Sequence, residues 1–99
     1  MINIYELGQK VRCAVTFTVS STNTDPTTVK AKVKDPSGTV ATYTYGTDAA
    51  LVKDATGLYH IDVDTDENGE WHFRFEGTGT CTAVEESSFY VHSNFPVGP

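Results

Sequence analysis

The groups in this chain that could do chemistry are three histidines, thirteen carboxylates and two cysteines. The densest run is Asp62-Val63-Asp64-Thr65-Asp66-Glu67-Asn68-Gly69-Glu70. From Asp64 it reads Asp-x-Asp-x-Asn-Gly, the opening of a calcium loop, in which hard oxygens ligate the ion and glycine makes the sharp turn. The match stops there. Phe75 stands where the closing bidentate glutamate belongs, and no helical period flanks the run. Asp64, Asp66 and Asn68 are thus an incomplete calcium site, and the run reads as a solvated strand face ending in an Asn-Gly turn.

His60 and His72 fall on outward positions of two strands expected to pair across Asn68-Gly69. Two imidazoles without a third protein ligand do not close a zinc site, so surface histidine is expected. No serine lies in a Gly-x-Ser-x-Gly elbow. Glu85 and Glu86 are sequence neighbours on opposite strand faces, not a facing acid/base pair. Gly77-Thr78-Gly79 is too short to cradle a phosphate, and no helix follows it. The expectation is a binding protein with no catalytic residues, no metal and no cofactor.

The elements that would position these groups are strands. Val11, Cys13, Val15, Phe17 and Val19 alternate with polar residues, as do Val29, Ala31 and Val33, then Tyr59, Ile61 and Val63, then Trp71, Phe73 and Phe75. Asp35-Pro36-Ser37-Gly38 is a turn. Strands are also expected over 39–45, 51–54, 80–84 and 88–92, with Phe89 and Val91 inward. No window carries a capped 3.6-residue period. About seven short strands at roughly 8–12-residue spacing predict an all-β chain, an immunoglobulin-like antiparallel β-sandwich. Its expected limits are an N-terminal arm or edge strand at 1–8, the sandwich at 9–92 and a tail at 93–99.

Cys13 and Cys81 each sit in an alternating strand, which leaves two readings open: two reduced core thiols, or a bridge between the sheets. The net charge of −6 argues against a nucleic-acid partner, because counterion release needs surface Lys and Arg, and against an anionic membrane. The positive charge reads as not pooled: Lys30, Lys32 and Lys34 alternate along one strand face, and Lys10 and Arg12 lie on another strand. No apolar run is long enough to span a bilayer. Met1-Ile2-Asn3-Ile4-Tyr5-Glu6 lacks a signal peptide's basic and apolar regions, so folding in a cytoplasm is expected. Apolar side chains outside the expected sandwich or on its outward phase, namely Ile2, Ile4, Tyr5, Leu58, Phe95 and Val97, are the candidate partner-binding residues.

Several short stretches recur in one order: Tyr5-x-x-Gly8, Asp25-Pro26-Thr27, Pro36-Ser37-Gly38, Lys53-Asp54-x-x-Gly57-x-Tyr59-His60, Asn68-Gly69-x-Trp71 with Arg74, and Glu85-Glu86-x-x-Phe89-x-Val91. In this order the chain resembles small immunoglobulin-like proteins encoded in the structural gene clusters of tailed phages and prophages. The resemblance implies a virion structural protein, made in the host cytoplasm, that decorates the capsid or joins the head–tail neck. Its implied partners are viral structural proteins (the major capsid protein or neck proteins) and further copies of itself in a homo-oligomer. The alternative expectation is a glycan- or host-surface-binding module, with Tyr43, Tyr45 and Trp71 as stacking residues.

Overall fold

A computed structural model describes residues 3–92. The strands are β1 (Asn3–Tyr5), β2 (Lys10–Thr16), β3 (Thr18–Val19), β4 (Thr22–Asn23), β5 (Thr28–Lys34), β6 (Val40–Thr44), β7 (Leu51–Ala55), β8 (Leu58–Asp64), β9 (Gly69–Thr78) and β10 (Ala83–Val91). One sheet has the order β1-β10-β9-β5-β6 and the other β2-β8-β7, while β3 and β4 form a small ribbon. The expected β-sandwich forms, and no helix occurs among the described residues. All pairings are antiparallel except one: β1 runs parallel to β10, with Ile4 opposite Tyr90.

The alternating side chains meet between the sheets. Val11, Cys13, Val15, Tyr59, Ile61 and Val63 come from one sheet, and Val29, Ala31, Val33, Trp71, Phe75, Phe89 and Val91 from the other. The Trp71 and Phe89 rings stack with centroids 6.1 Å apart, and Tyr5 meets Phe89 edge-on at 5.6 Å. Such pairs add to burial because ring edges and faces carry opposite partial charge. Both cysteines are buried and free. Burial pushes the Cys13 thiol up to about 12, which leaves almost no thiolate at mildly alkaline pH. A disulfide-exchange reagent is therefore expected to leave Cys13 unlabelled in the native protein and to label it fully once guanidinium unfolds the chain. Rapid native labelling of Cys13, read by peptide mass spectrometry, would contradict the buried placement.

Two expectations about connectivity need correction. Asn68-Gly69 does not turn a hairpin between β8 and β9; the chain crosses there from one sheet to the other. Three hydrogen bonds fix the crossing. The buried Thr65 donates its hydroxyl to Gln9 O at 2.6 Å, Gly8 N donates to Thr65 O at 2.8 Å, and Trp71 Nε1 donates to Glu67 O at 3.1 Å. The expected strands at 80–84 and 88–92 merge into one strand, β10, over Ala83–Val91; residues 80–82 lie in the loop before it, so the buried Cys81 is not on a strand, against expectation. The polar middle of β10 pairs with β9, placing Glu85 opposite Phe75 and Ser87 opposite Phe73. Glu85 and Ser87 share the inward phase of Phe89 yet stay exposed, so the core face ends before them. An inward-phase charge on a half-open edge also discourages indiscriminate strand pairing.

Candidate interaction surfaces

The motif residues of the middle of the chain converge on Asp25. Its carboxylate accepts from Lys53 Nζ at 2.6 Å, Gly57 N at 2.8 Å and Tyr59 OH at 3.0 Å, and its carbonyl accepts from Thr80 Oγ1 at 2.7 Å. This clasp ties the loop before β5 to the β7–β8 turn and to the loop before β10. Hydrogen bonding from Lys53, then from Gly57, holds the Asp25 carboxyl below its ordinary value of 3.8. Burial, with Asp25 beside it, pushes the Tyr59 phenol up to about 12. The clasp thus stabilises the fold fully above pH 3.8, and that contribution is lost as pH falls through the depressed folded-state value. Asp25→Asn is expected to lower the melting temperature at neutral pH, with the deficit shrinking steadily on acidification. A deficit unchanged from neutral pH to well below 3.8 would show that the charge does not contribute.

His60 lies on the outward phase of β8 but is only 6% exposed, against the expectation of a surface histidine. It sits on the central strand between Ala14 and Val52, and its Nδ1 lies 2.6 Å from Asp54 Oδ2. Its neighbour Asp62 is taken by Arg12, whose guanidinium donates twice at 2.9 and 3.2 Å. His72 is on β9, in the other sheet, so the two histidines are not brought together. Asp64 faces Lys10 at 3.6 Å, and Asp66 and Asn68 are exposed. Among the described residues no group of three or more His, Cys, Asp or Glu side chains is placed to hold a metal.

Of the candidate partner-binding residues, Ile4 is 72% exposed and lies opposite Tyr90, itself 42% exposed. The two form an apolar corner beside Asn68 and Gly69. Tyr5 turns inward and is half-buried, and Leu58 is half-buried opposite Thr16. Ile2, Phe95 and Val97 lie outside the described residues.

The surface that sequence reading missed is the outer face of the five-stranded sheet. Arg74 joins Lys30, Lys32 and Lys34 there, among Glu70, Glu76 and Glu86. Strand β5 pairs with β9 so that Lys32 stands opposite Arg74 and Lys34 opposite His72, with Lys30 opposite Glu76. On the far side of β9, Glu86 stands opposite Arg74 and Ser88 opposite His72. Arg74 donates to Glu76 at 2.6 Å and to Glu86 at 3.0 Å, and Lys32 reaches Glu76 at 3.2 Å. Lys30 and Lys34 have no ion pair among the described residues, whereas Lys10, Arg12 and Lys53 are each matched by an aspartate. A shallow depression of about 480 Å³ runs across this face between Lys34, His72, Arg74 and Glu86.

No protein-family model matches the sequence, and no curated protein matches it. One solved structure is similar in fold. It is a putative glycoside hydrolase from Bacteroides vulgatus, superposing with a TM-score of 0.60 at 12% sequence identity over 97% of this chain. This chain spans 17% of that protein's length, so the likeness is to one sandwich portion of a much larger molecule. At that identity the likeness shows the fold alone.

Proposed function

We propose that this chain is a non-enzymatic structural component of a tailed-phage or prophage virion, docking on capsid or neck subunits. The observation that supports this most is the clasp. Asp25, Lys53, Gly57 and Tyr59, which belong to two separate stretches of the phage-like pattern, meet at one carboxylate. These two stretches of the pattern thus serve one local scaffold in this chain. On that scaffold the acid–base groups are engaged in holding the fold, as with His60 on Asp54 and Arg12 on Asp62. What the scaffold offers outward is a broad sheet face and the Ile4–Tyr90 corner, where an exposed aromatic next to an aliphatic suits a protein contact. Repetition of the contact over a capsid lets each one be small.

Co-sedimentation of the labelled, purified chain with phage particles tests this. Saturable binding, weakened by Ile4→Ser and Tyr90→Ser in protein that still melts cooperatively, is expected. A chain that stays in the supernatant but binds defined oligosaccharides would replace this reading with glycan binding.

A further inference from the structure

We propose that the outer face of the five-stranded sheet is the contact surface for a second copy of this chain, in a two-fold face-to-face dimer. The inference rests on the distribution of charge on that face and stands independently of the virion reading.

The face is dipolar about its central strand. In the order β5-β9-β10, the β5 side carries Lys30, Lys32 and Lys34, while the β10 side carries Glu86. Lys32, Arg74 and Glu86 lie in one cross-strand row, positive at one end and negative at the other. A two-fold interface brings residue i onto j and j onto i, so such a face is complementary to itself. An axis in the plane of contact, parallel to the strands and over β9, lays β5 of one copy on β10 of the other. Lys32 of each copy then meets Glu86 of its partner in the same row, exchanging its own pairing with Glu76, and Lys34 falls over Ser88, one row along. The perpendicular in-plane axis would set lysine on lysine and is disfavoured by repulsion. Strand β9 meets itself on the axis, where Arg74 is already neutralised by Glu76 and Glu86.

With the axis over β9 the strands that overlap are β5, β9 and β10, which at about 4.8 Å between strands and about 3.4 Å per residue cover roughly 350 Å². Two copies would bury roughly 700 Å², the size of a weak, reversible contact. Contacts of this kind are charged and partly wet, so the dimer should weaken as salt rises.

The test is a pair of charge reversals measured by light scattering and sedimentation equilibrium. The wild-type chain is expected to be a dimer at high concentration and low salt. Lys32→Glu/Lys34→Glu makes both sides of the face acidic, and Glu86→Lys makes both sides basic; each is expected to weaken self-association by roughly tenfold or more. Mixed one to one, the two variants are expected to form a heterodimer, because each supplies the charge that the other lacks. That recovery also shows that the variants are folded. A wild type that stays monomeric overturns the proposal, as does a dimer indifferent to both reversals, or a mixture that remains two monomers.

Discussion

Gly57→Ala is expected to cost about 3–5 kcal/mol of folding stability, a large part of what a domain of this size has. Gly57 turns β7 into β8 at φ +76°, in the left-handed region where a side chain is strained by roughly 1–2 kcal/mol. The space is also closed. A Cβ there would lie 2.6 Å from Phe17 O and 2.9 Å from Thr24 N, and these two atoms are hydrogen-bonded to each other at 2.9 Å. Both are backbone, so neither swings aside, and the methyl would force that bond apart. The Gly57 amide, moreover, donates to Asp25 and its carbonyl accepts from Phe17 N at 2.7 Å. One methyl therefore disturbs the turn, the strand end and the clasp together. At about 4–8 °C per kcal/mol, the melting temperature should fall by well over 10 °C. A fall of only a few degrees would mean that the turn is not docked against Phe17 and Thr24.

Trp71→Ala is expected to cost about 3–5 kcal/mol, the usual range for removing a buried large aromatic. Trp71 is 4% exposed, stacks on Phe89 and anchors the crossing segment through Nε1 on Glu67 O. Trp71→Phe keeps most of the ring and loses the hydrogen bond, for an expected cost of about 1–3 kcal/mol. Calorimetry of the two variants separates two roles for this residue. A tryptophan serving as an open stacking platform would be replaceable without loss of stability, and its removal would instead abolish ligand binding.

How the sequence encodes this molecule depends on distance along the chain. Period-two alternation fixes which side chains of β2, β5, β8 and β9 face inward, because the pleat makes phase a local property. It does not say which strand lies beside which. Lys32 and Arg74 are neighbours only because β5 pairs with β9, so this charged face could not be read from either strand alone. The same reason hid the crossing at Thr65–Asn68: an Asn-Gly pair signals a turn, and only the placement of β8 and β9 in different sheets shows that it joins no hairpin. His60 kept its expected outward phase, but it is buried on the central strand of its sheet, flanked by Ala14 and Val52 and in contact with Asp54 of β7. The polar run Glu85–Ser88 carries no alternation, and it is a strand because its backbone pairs with β9. The clasp was half legible: its residues stood out as motif positions, while the fact that they share one carboxylate needed three dimensions.

The virion reading is tested most directly by the composition of particles. Phage particles from the strain that encodes this chain would be purified on a density gradient and their proteins quantified by mass spectrometry. A structural component must follow the major capsid protein across the particle peak at a fixed ratio, and must stay with it through a second gradient. A chain left in the soluble fraction, with none at the particle peak, would contradict a virion role and leave a free β-sandwich whose partner must be sought elsewhere.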